Sequence, residues 1–360
     1  MLRRCAMNGG EGPHSYARNS SYQKGFVDVA KPIIEEEISR KLDIKHLSST
    51  FRIADFGCST GHNSCAAMQI ITEAIRRRFE IEGLISQLPD FYVYFNDKVT
   101  NDFNTLFNSL PRERLYGAAG VPGSFHGRLL PKAVLNFAYS SCSLNWISEV
   151  PKAVLDNTSP AWNRGKIHYE GARREVREEY ANQYSKDIES FLDSRAEELV
   201  QGGLMALLVP AVPASWDPNS AYTSTSELYL FGSCFMDMAK TGRFSEAKVD
   251  SFNIPVYFPI PQEFKAIIER NDKYTIERME VLDNPGKHNL TGPKDRAAYF
   301  RATSEGMLID HFGSEIIEEL FDRYTKKLEA SPLFSDPDCD KSIIMFVLLQ
   351  RKPESYCSAS

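Results

Sequence analysis

Hydrophobic and polar positions along the chain follow two different periods, one typical of helices and the other typical of strands. Apolar residues recur at helical spacing over 26–42 with acidic residues on the opposite face, which predicts an amphipathic helix. The short apolar run 51–56 predicts a strand, and a second helix is expected to begin at Asn63. Residues 90–97 alternate and are rich in aromatics, so they are predicted to form a second strand, which ends at Asp97.

The same succession of strand and helix continues through the rest of the chain. A short helix is predicted over 101–110, and a buried strand over 134–143 that becomes small and polar at its end. A long charged helix is expected over 173–203, closed by paired glycines, before buried strands over 204–212 and 342–352. Strands separated by helices in this way predict a mostly parallel sheet covered on both faces, which is an α/β fold.

Two segments interrupt this order. Both open with loops rich in Pro, Gly and Asn and continue as helical patterns, which predicts an α-helical cap over one edge of the sheet. The predicted domains are an N-terminal active-site segment (1–24), a core (25–212, 251–281 and 331–360) and the cap insertions (213–250 and 282–330).

Composition and charge narrow the class of protein. With 42% hydrophobic and 25% charged residues, the 360-residue chain can bury a large core, and its net charge of -6 argues against a nucleic-acid partner. No apolar run is long enough to span a membrane, and the N-terminus lacks the apolar region of a secretory signal, so a cytoplasmic protein is predicted. The seven cysteines lack metal-site spacing and are expected to be reduced thiols, including Cys5 and Cys357.

Acidic residues close the first two predicted strands. In "DFGCSTG", Asp55 precedes two glycines that let a backbone approach a ligand, and the carboxylate suits a cation better than a pyrophosphate. Asp97 closes the second strand, where a carboxylate can accept hydrogen bonds from a ribose diol. Each Asp alone could equally be a helix cap or turn former, but the pair on successive strands favours S-adenosylmethionine.

Several longer motifs carry a family resemblance. The stretches "MNGGEGPHSYARNSSYQ", "IADFGCSTGHN", "FNDKVTNDFNTLF", "GVPGSFHGRLLP" and "SSCSLNWISEVP" resemble the plant SABATH methyltransferases. That family methylates carboxylates of small plant acids or, in the caffeine pathway, ring nitrogens of xanthines. The resemblance implies a Rossmann-like class I methyltransferase core with a mostly parallel seven-stranded sheet, an α-helical cap and a homodimer.

The resemblance also implies roles for individual residues. The cofactor-binding set is Tyr16, Ser20, Asp55, Gly57, Asn63, Asp97, Lys98, Ser124 and Phe125. Gln23 and Trp146 are the implied catalytic residues, since both would hold the substrate carboxylate through neutral N–H donors. The rest of the substrate pocket is implied to comprise Cys142, Asn145, Leu228, Phe231, Phe235, Phe300 and Ser342. In some relatives a magnesium ion, structural in role, occupies positions that match Asn163, Asp250, Phe252 and Asn253.

Four positions depart from the family pattern. His62 stands where a proline is usual, and Cys142 replaces a common tyrosine. Asn145 stands where Met, His or Gln is common, and Ser342 replaces a tyrosine that stacks on xanthine rings. These changes favour an acid with a polar function over salicylate or a flat purine.

The predicted reaction needs little chemical help from the protein. A carboxylate with a pKa near ~4 is already ionised at neutral pH, so alignment with an activated methyl group suffices. The leading hypothesis is transfer of the methyl group of S-adenosylmethionine to the carboxylate of a small plant metabolite or hormone-like acid, which gives a methyl ester and S-adenosylhomocysteine. N-methylation of a xanthine or another heterocycle is the alternative, and a binder without turnover is a third. The sequence leaves open which acid is used, whether magnesium binds and how many subunits assemble.

Overall fold

A seven-stranded mixed sheet flanked by helices forms the centre of the computed structural model, which describes residues 6–44 and 48–353. The strands are β1 (Thr50–Phe56), β2 (Asp90–Asp97), β3 (Tyr116–Pro122), β4 (Leu135–Ser141), β5 (Leu199–Ala211), β6 (Tyr274–Leu282) and β7 (Ile343–Arg351). The helices are α1 (Ser21–Lys41), α2 (His62–Ile81), α3 (Phe103–Ser109), α4 (Arg174–Glu198), α5 (Ser224–Lys240), α6 (Glu246–Asp250), α7 (Pro261–Arg270), α8 (Gly286–Asn289), α9 (Pro293–Phe312), α10 (Ile317–Ala330) and α11 (Pro332–Ser335).

The strand order places a ligand crevice between β1 and β4. The order is β3-β2-β1-β4-β5-β7-β6, with β7 antiparallel to both of its neighbours and the other pairs parallel. The chain proceeds outward from β1 to β3 and then returns to the other side of β1 as β4. Loops that leave neighbouring strands in opposite directions open a crevice at their carboxyl ends. Asp55 lies at this point, in register with Phe95 of β2 and Tyr139 of β4.

The α/β prediction is confirmed, and several element boundaries differ from their predictions: α1 begins at Ser21, α2 at His62 and β5 at Leu199. Helix α4 ends at Glu198, and the paired glycines Gly202 and Gly203 belong to β5. Gly202 has φ 75°, close to a register shift between β4 and β5, so the glycines accommodate an irregular strand start. Strands β3 and β6 were not predicted. The first, "YGAAGVP", is made mostly of small residues, and the second, "YTIERMEVL", is a half-exposed edge strand with mixed charge.

Three apolar clusters divide the interior. One joins α1 and α2 to one face of the sheet, and the second joins α4 and α7 to the other face. The third lies among α5, α6, α9 and α10 and has little contact with the strands, which gives the cap helices a core of their own. The exact domain boundaries of the cap stay a prediction.

Two sequence-based expectations concern thiols and membranes. Cys58, Cys65, Cys142, Cys234 and Cys339 are free, whereas Cys5 and Cys357 lie outside the described residues. Within 6–44 and 48–353, no helix combines the length and the hydrophobicity that crossing a bilayer requires.

Candidate active site

The loop between β1 and α2 is folded tightly against the ends of β2 and β4. Gly57 has φ 89°, and a Cβ at this position would lie 2.0 Å from Ser143 Oγ, so both the backbone and the packing require glycine. The backbone N–H groups of Gly57 and Cys58 donate to Asn96 O, each at 2.9 Å. Ser59 N donates to Asp97 Oδ2 at 2.7 Å. Asp97 therefore holds the first loop in place as well as facing the crevice.

Asp55 and Asp97 give the crevice its electrostatic character. Asp55 is only 2% exposed, and its Oδ2 has no hydrogen-bond partner. Burial raises the pKa of Asp55 to about 7, and the nearby charge of Asp97 adds to the rise. Desolvation also raises the pKa of Asp97, against hydrogen bonds from Ser59 N and Lys98 N. Two carboxyl groups that are costly to ionise without a partner are a site suited to a cation.

Two neighbouring cavities, here called the strand-end cavities, lie at the carboxyl ends of β1, β2 and β4 and share Tyr16, Gly57 and Ser141 in their walls. Their walls include all but one of the expected cofactor-binding residues: Tyr16, Asp55, Gly57, Asn63, Asp97, Lys98, Ser124 and Phe125. Ser20 does not line them. Its Oγ and carbonyl oxygen accept hydrogen bonds from Asn63 Nδ2 at 3.1 and 3.2 Å, so Ser20 positions Asn63.

The loop that carries Ser124 and Phe125 is anchored on both sides. Asn96 Nδ2 donates to Val121 O at 2.7 Å and to Gly123 O at 3.0 Å. From the other side, the fully buried Arg195 of α4 donates to Phe125 O at 2.7 Å and to Gly127 O at 2.8 Å. The sequence analysis did not single out Arg195, because a charged residue in a charged helix gives no sign that it is buried.

A third cavity, here called the cap cavity, adjoins the strand-end cavities and lies under the cap helices. Gln23, Cys142, Asn145 and Trp146 line it, and Tyr16 and Trp146 also line the strand-end cavities. Its empty volume is about 850 Å³, part of which is open to solvent. Gln23 Oε1 and Asn145 Oδ1 are buried without partners, so these two amide oxygens can still accept hydrogen bonds from a ligand.

The backbone at the end of β4 adopts an uncommon conformation beside this cavity. Cys142 has φ 55°, in the left-handed region that residues other than glycine seldom adopt. Its backbone N–H is held by Leu208 O at 3.0 Å. Burial raises the pKa of the Cys142 thiol, so the side chain stays neutral at the junction of the cavities.

The other expected pocket residues are divided between the wall and the layer behind it. Leu228 and Phe300 line the cap cavity. Contrary to the expectation, Phe231 and Phe235 lie in the core of the cap, where their rings pack against each other 5.3 Å apart. Ser342 is also behind the wall, since its Oγ accepts from Ser224 N at 2.8 Å and Ser224 lines the cavity. The positions of Phe231 and Phe235 follow from the rotation of α5, which spacing along the sequence does not fix.

His62 begins α2 and is exposed, and the turn before it keeps both glycines. His62, which stands where the family usually has a proline, therefore lines none of the three cavities.

The four residues expected to bind magnesium are close together but largely paired with protein groups. Asn253 Oδ1 accepts from Asn163 Nδ2 at 2.6 Å and from Tyr180 OH at 3.2 Å. Asp250 Oδ1 accepts from Gly165 N at 2.7 Å. Asn163 Oδ1 is buried without a partner. In the described part of the chain no cluster of three or more His, Cys, Asp or Glu side chains could hold a metal ion.

The cap cavity also contains residues that the sequence analysis missed. They come from segments far apart in the chain: Met7, Tyr22, Glu227, Arg296, Tyr299, Thr303, Ser304, Met307 and Asp340. The one sequence signal that could have found some of them is a charged residue within an otherwise apolar helical stripe, as at Glu227 in "SELYLFGSCF".

Comparisons with known proteins agree with this geometry. The family model described as SAM dependent carboxyl methyltransferase matches residues 2–352. Loganic acid O-methyltransferase of Catharanthus roseus is 41% identical over 351 residues, which cover 96% of this chain and 94% of that protein. Paraxanthine methyltransferase 2 of Arabidopsis thaliana is 38% identical over 320 residues, or 88% of this chain and 90% of that protein. A solved structure described as loganic acid methyltransferase with SAH has a TM-score of 0.92 and 40% identity, covering 97% of this chain and 99% of that chain.

Proposed function

Because this chain belongs to the S-adenosylmethionine-dependent carboxyl methyltransferases, we propose that it methylates the carboxylate of a small plant acid and releases the methyl ester with S-adenosylhomocysteine. The observation that carries the proposal is the junction between the cavities. The buried Asp55 and the half-buried Asp97 lie at neighbouring strand ends, and the cavities there share Tyr16, Gln23 and Trp146 with the cap cavity. A cation can therefore be held beside the two acids, and an anion beside the N–H donors of Gln23 and Trp146.

The strand-end cavities are proposed to hold the cofactor. When bound, S-adenosylmethionine supplies an activated sulfonium methyl group. Asp55 and Asn63 are placed to hold the amino-acid part, and each oxygen of Asp97 has room for a ribose hydroxyl beside the backbone N–H that it already accepts. Phe125 offers an apolar face next to Ser124 for the base. Binding a cation here offsets the desolvation of Asp55, which is otherwise costly.

Gln23 and Trp146 are proposed to orient the acid. Both line the cap cavity and one strand-end cavity each, so a carboxylate held between them faces the cofactor. Both are neutral donors, which orient an anion without taking away its reactivity as a lysine would. The carboxylate is ionised at neutral pH, so no general base is required, and orientation of the carboxylate toward the methyl group is the main contribution.

One experiment tests the proposal against both alternatives. The protein is incubated with S-adenosylmethionine labelled on the methyl group and with a panel of plant acids and xanthines. Base-labile label in the product is expected, since esters hydrolyse in base. Base-stable label would identify N-methylation, and cofactor binding without any labelled product would identify a binder.

The cluster of Asn163, Asp250, Phe252 and Asn253 is proposed to have a structural role, in which hydrogen bonds connect residues 163–165 with residues 250–253. A magnesium ion prefers about six oxygen ligands, and here it would have to displace two donors from Asn253 Oδ1 alone. The residues present therefore fit the ion poorly, and the proposed reaction does not pass through it. Titration calorimetry with MgCl₂ is expected to show no binding at millimolar concentrations, and saturable binding would contradict this role.

We further propose a cytoplasmic homodimer. The cytoplasmic location is supported by the free cysteines among the described residues, since thiols persist in a reducing compartment. The homodimer is supported by the family resemblance alone, and sedimentation velocity of the purified protein checks it.

A further inference from the structure

Three ionisable side chains of the cap cavity have no part in holding the carboxylate. They are Glu227 of α5, Arg296 of α9 and Asp340 in the loop before β7, and together they are called the charged cluster here. Their exposed fractions are 5%, 2% and 3%. Two acids and one base leave this wall with a net charge of −1 when all three are ionised.

Ion pairs hold the charged cluster together, but one of its N–H groups has no hydrogen-bond partner. Arg296 Nη1 forms an ion pair with Glu227 Oε1, and Arg296 Nη2 lies 3.5 Å from Asp340 Oδ2. Although Nη2 is buried, it has no hydrogen-bond partner. Below the guanidinium, the ring of Tyr222 lies with its centroid 5.1 Å away. Asp340 is held in turn by Ser342 N, which donates to its Oδ1 at 2.9 Å. Buried polar groups normally form hydrogen bonds, so the unused N–H donor of Arg296 Nη2 indicates that a ligand supplies an oxygen as acceptor.

A pair of tyrosines connects the charged cluster with the reacting end of the cavity. Tyr22 and Tyr299 line the cavity with their ring centroids 5.3 Å apart. Tyr299, Cys142 and Glu227 line this same cavity, and burial raises the pKa of Tyr299, with Cys142 and Glu227 raising it further. Because Cys142 marks the junction with the strand-end cavities, a ligand that reaches from there to Glu227 crosses the tyrosine pair.

We propose that the charged cluster binds a hydroxyl group of the acid, remote from the carboxylate that is methylated. This inference rests on the proposed carboxyl methylation. The substrate class is then a monocarboxylic acid that bears hydroxyls, as on a sugar or another polyol. A hydroxyl donates to a carboxylate oxygen and accepts from a guanidinium N–H, which matches both kinds of group in the cluster.

Other substrate classes fit the charged cluster less well. A second carboxylate or a phosphate would meet a wall of net negative charge. A plain hydrocarbon would leave Arg296 Nη2 without a hydrogen bond, and sites built to bind a hydroxyl discriminate strongly against analogues that lack it.

The test compares pairs of acids that differ by a hydroxyl. Loganic acid is set beside 7-deoxyloganic acid, and 12-hydroxydodecanoic acid beside dodecanoic acid, within the panel of the methyl-transfer assay. The wild-type enzyme is expected to prefer the hydroxylated member of at least one pair by about 100-fold or more in kcat/KM. In Glu227→Gln and Asp340→Asn the preference is expected to fall below about tenfold, because each substitution removes one charged acceptor.

A matched variant separates recognition from stability. Glu37 is a buried acid that pairs with Arg278 and Arg40 and lines none of the three cavities, so Glu37→Gln is expected to keep the wild-type preference. Calorimetric binding of S-adenosylhomocysteine confirms that each variant is folded. If Glu227→Gln fails to fold, the inference is tested by the preference of the wild-type enzyme for the hydroxylated acid and by the loss of this preference in Asp340→Asn.

The outcomes distinguish this inference from the proposed function. Equal turnover of both members of each pair, or a preference that survives both substitutions, overturns the role of the charged cluster while methyl transfer stands. Absence of turnover on every acid of the panel, with S-adenosylhomocysteine still bound, overturns the proposed function and this inference together.

Discussion

Gln23 and Trp146 are the side chains whose individual chemistry matters most to the proposed reaction. Both contribute neutral N–H donors, and each belongs to the wall of the cap cavity and of one strand-end cavity. The carboxamide oxygen of Gln23 is buried without a partner. We infer that Nε2 of the same amide donates to the ionised carboxylate, which itself has no proton to give to the oxygen.

Gln23→Ala is expected to reduce kcat/KM for the acid by about 10- to 100-fold, since a hydrogen bond to a charged group contributes about 1.5–3 kcal/mol. The dissociation constant of S-adenosylhomocysteine should change less than twofold. Steady-state kinetics and titration calorimetry measure the two effects. Gln69→Ala, at an exposed position of α2, is the control and should leave both unchanged. Equal losses in turnover and cofactor affinity would contradict the role of Gln23.

Asp55 predicts a dependence of cofactor binding on pH. Burial raises its pKa to about 7 in the ligand-free protein, above the value of ~3.9 in an unfolded chain. The folded protein therefore binds more protons between these two values. The contribution of Asp55 to stability is greatest below the unfolded pKa and is lost as pH rises through 7.

If the ammonium group of the cofactor binds the ionised form of Asp55, affinity should increase as pH rises, by about tenfold between pH 6 and pH 8. Calorimetry with S-adenosylhomocysteine at the two pH values measures this change. Asp55→Asn is expected to bind more weakly and to lose most of the dependence. An unchanged pH profile in Asp55→Asn would show that another group is responsible.

At the scale of elements, α4 supports the loop that carries Ser124 and Phe125 from outside the cavity. Arg195 donates to two carbonyl oxygens of this loop and pairs with Glu198, which itself accepts from Leu129 N and Leu130 N. Both partners of the ion pair are fully buried. The helix thus holds the segment around Phe125 by hydrogen bonds that do not touch the ligand.

Arg195→Met is expected to raise the KM for S-adenosylmethionine about tenfold or more while the KM for the acid changes little. It should also destabilise the fold by about 3–5 kcal/mol, because Glu198 is left buried without its partner. The double variant Arg195→Met with Glu198→Gln should recover part of the stability, as measured by thermal unfolding, but keep the high KM. Recovery of both properties in the double variant would show that the loop does not depend on Arg195.

At the scale of the whole molecule, the N-terminal segment connects the cap to the sheet across the cavities. Asn8 N donates to Ala302 O of α9 at 2.9 Å, and Gly10 N donates to Asp102 Oδ2 before α3 at 2.9 Å. Met7 and Tyr16 of the same segment line both the cap cavity and a strand-end cavity. A ligand bound below the segment therefore contacts the core, the cap and the segment together.

Cofactor binding is expected to slow amide hydrogen exchange over residues 6–20, because the ligand adds contacts that opening of the segment would break. Mass spectrometry with and without S-adenosylhomocysteine measures the change. Peptides from β7, which is buried in the sheet away from the cavities, are the internal control. Equal protection throughout the chain would indicate global stabilisation in place of closure by the segment.

The sequence by itself determined the alternation of strands and helices and the two acids at neighbouring strand ends. These features depend on periods of two and 3.6 residues and on local motifs, which a chain carries wherever it packs. The family resemblance then pointed to the residues of the strand-end cavities, which lie close to conspicuous glycines and acids in the chain. Local sequence does not predict contacts between distant residues: the close packing of Gly57 against Ser143 could not be predicted from "DFGCSTG".

The tertiary structure alone decided which cap side chains line the cap cavity. Phe231 and Phe235 lie one layer behind the wall, whereas Glu227 and Arg296 reach it from helices about 70 residues apart in the chain. The physical reason is that the rotation of each cap helix is set by packing against the other helices, and a small rotation exchanges the side chains that face inward. Contacts of this kind depend on the whole assembly of helices, and no local pattern records them.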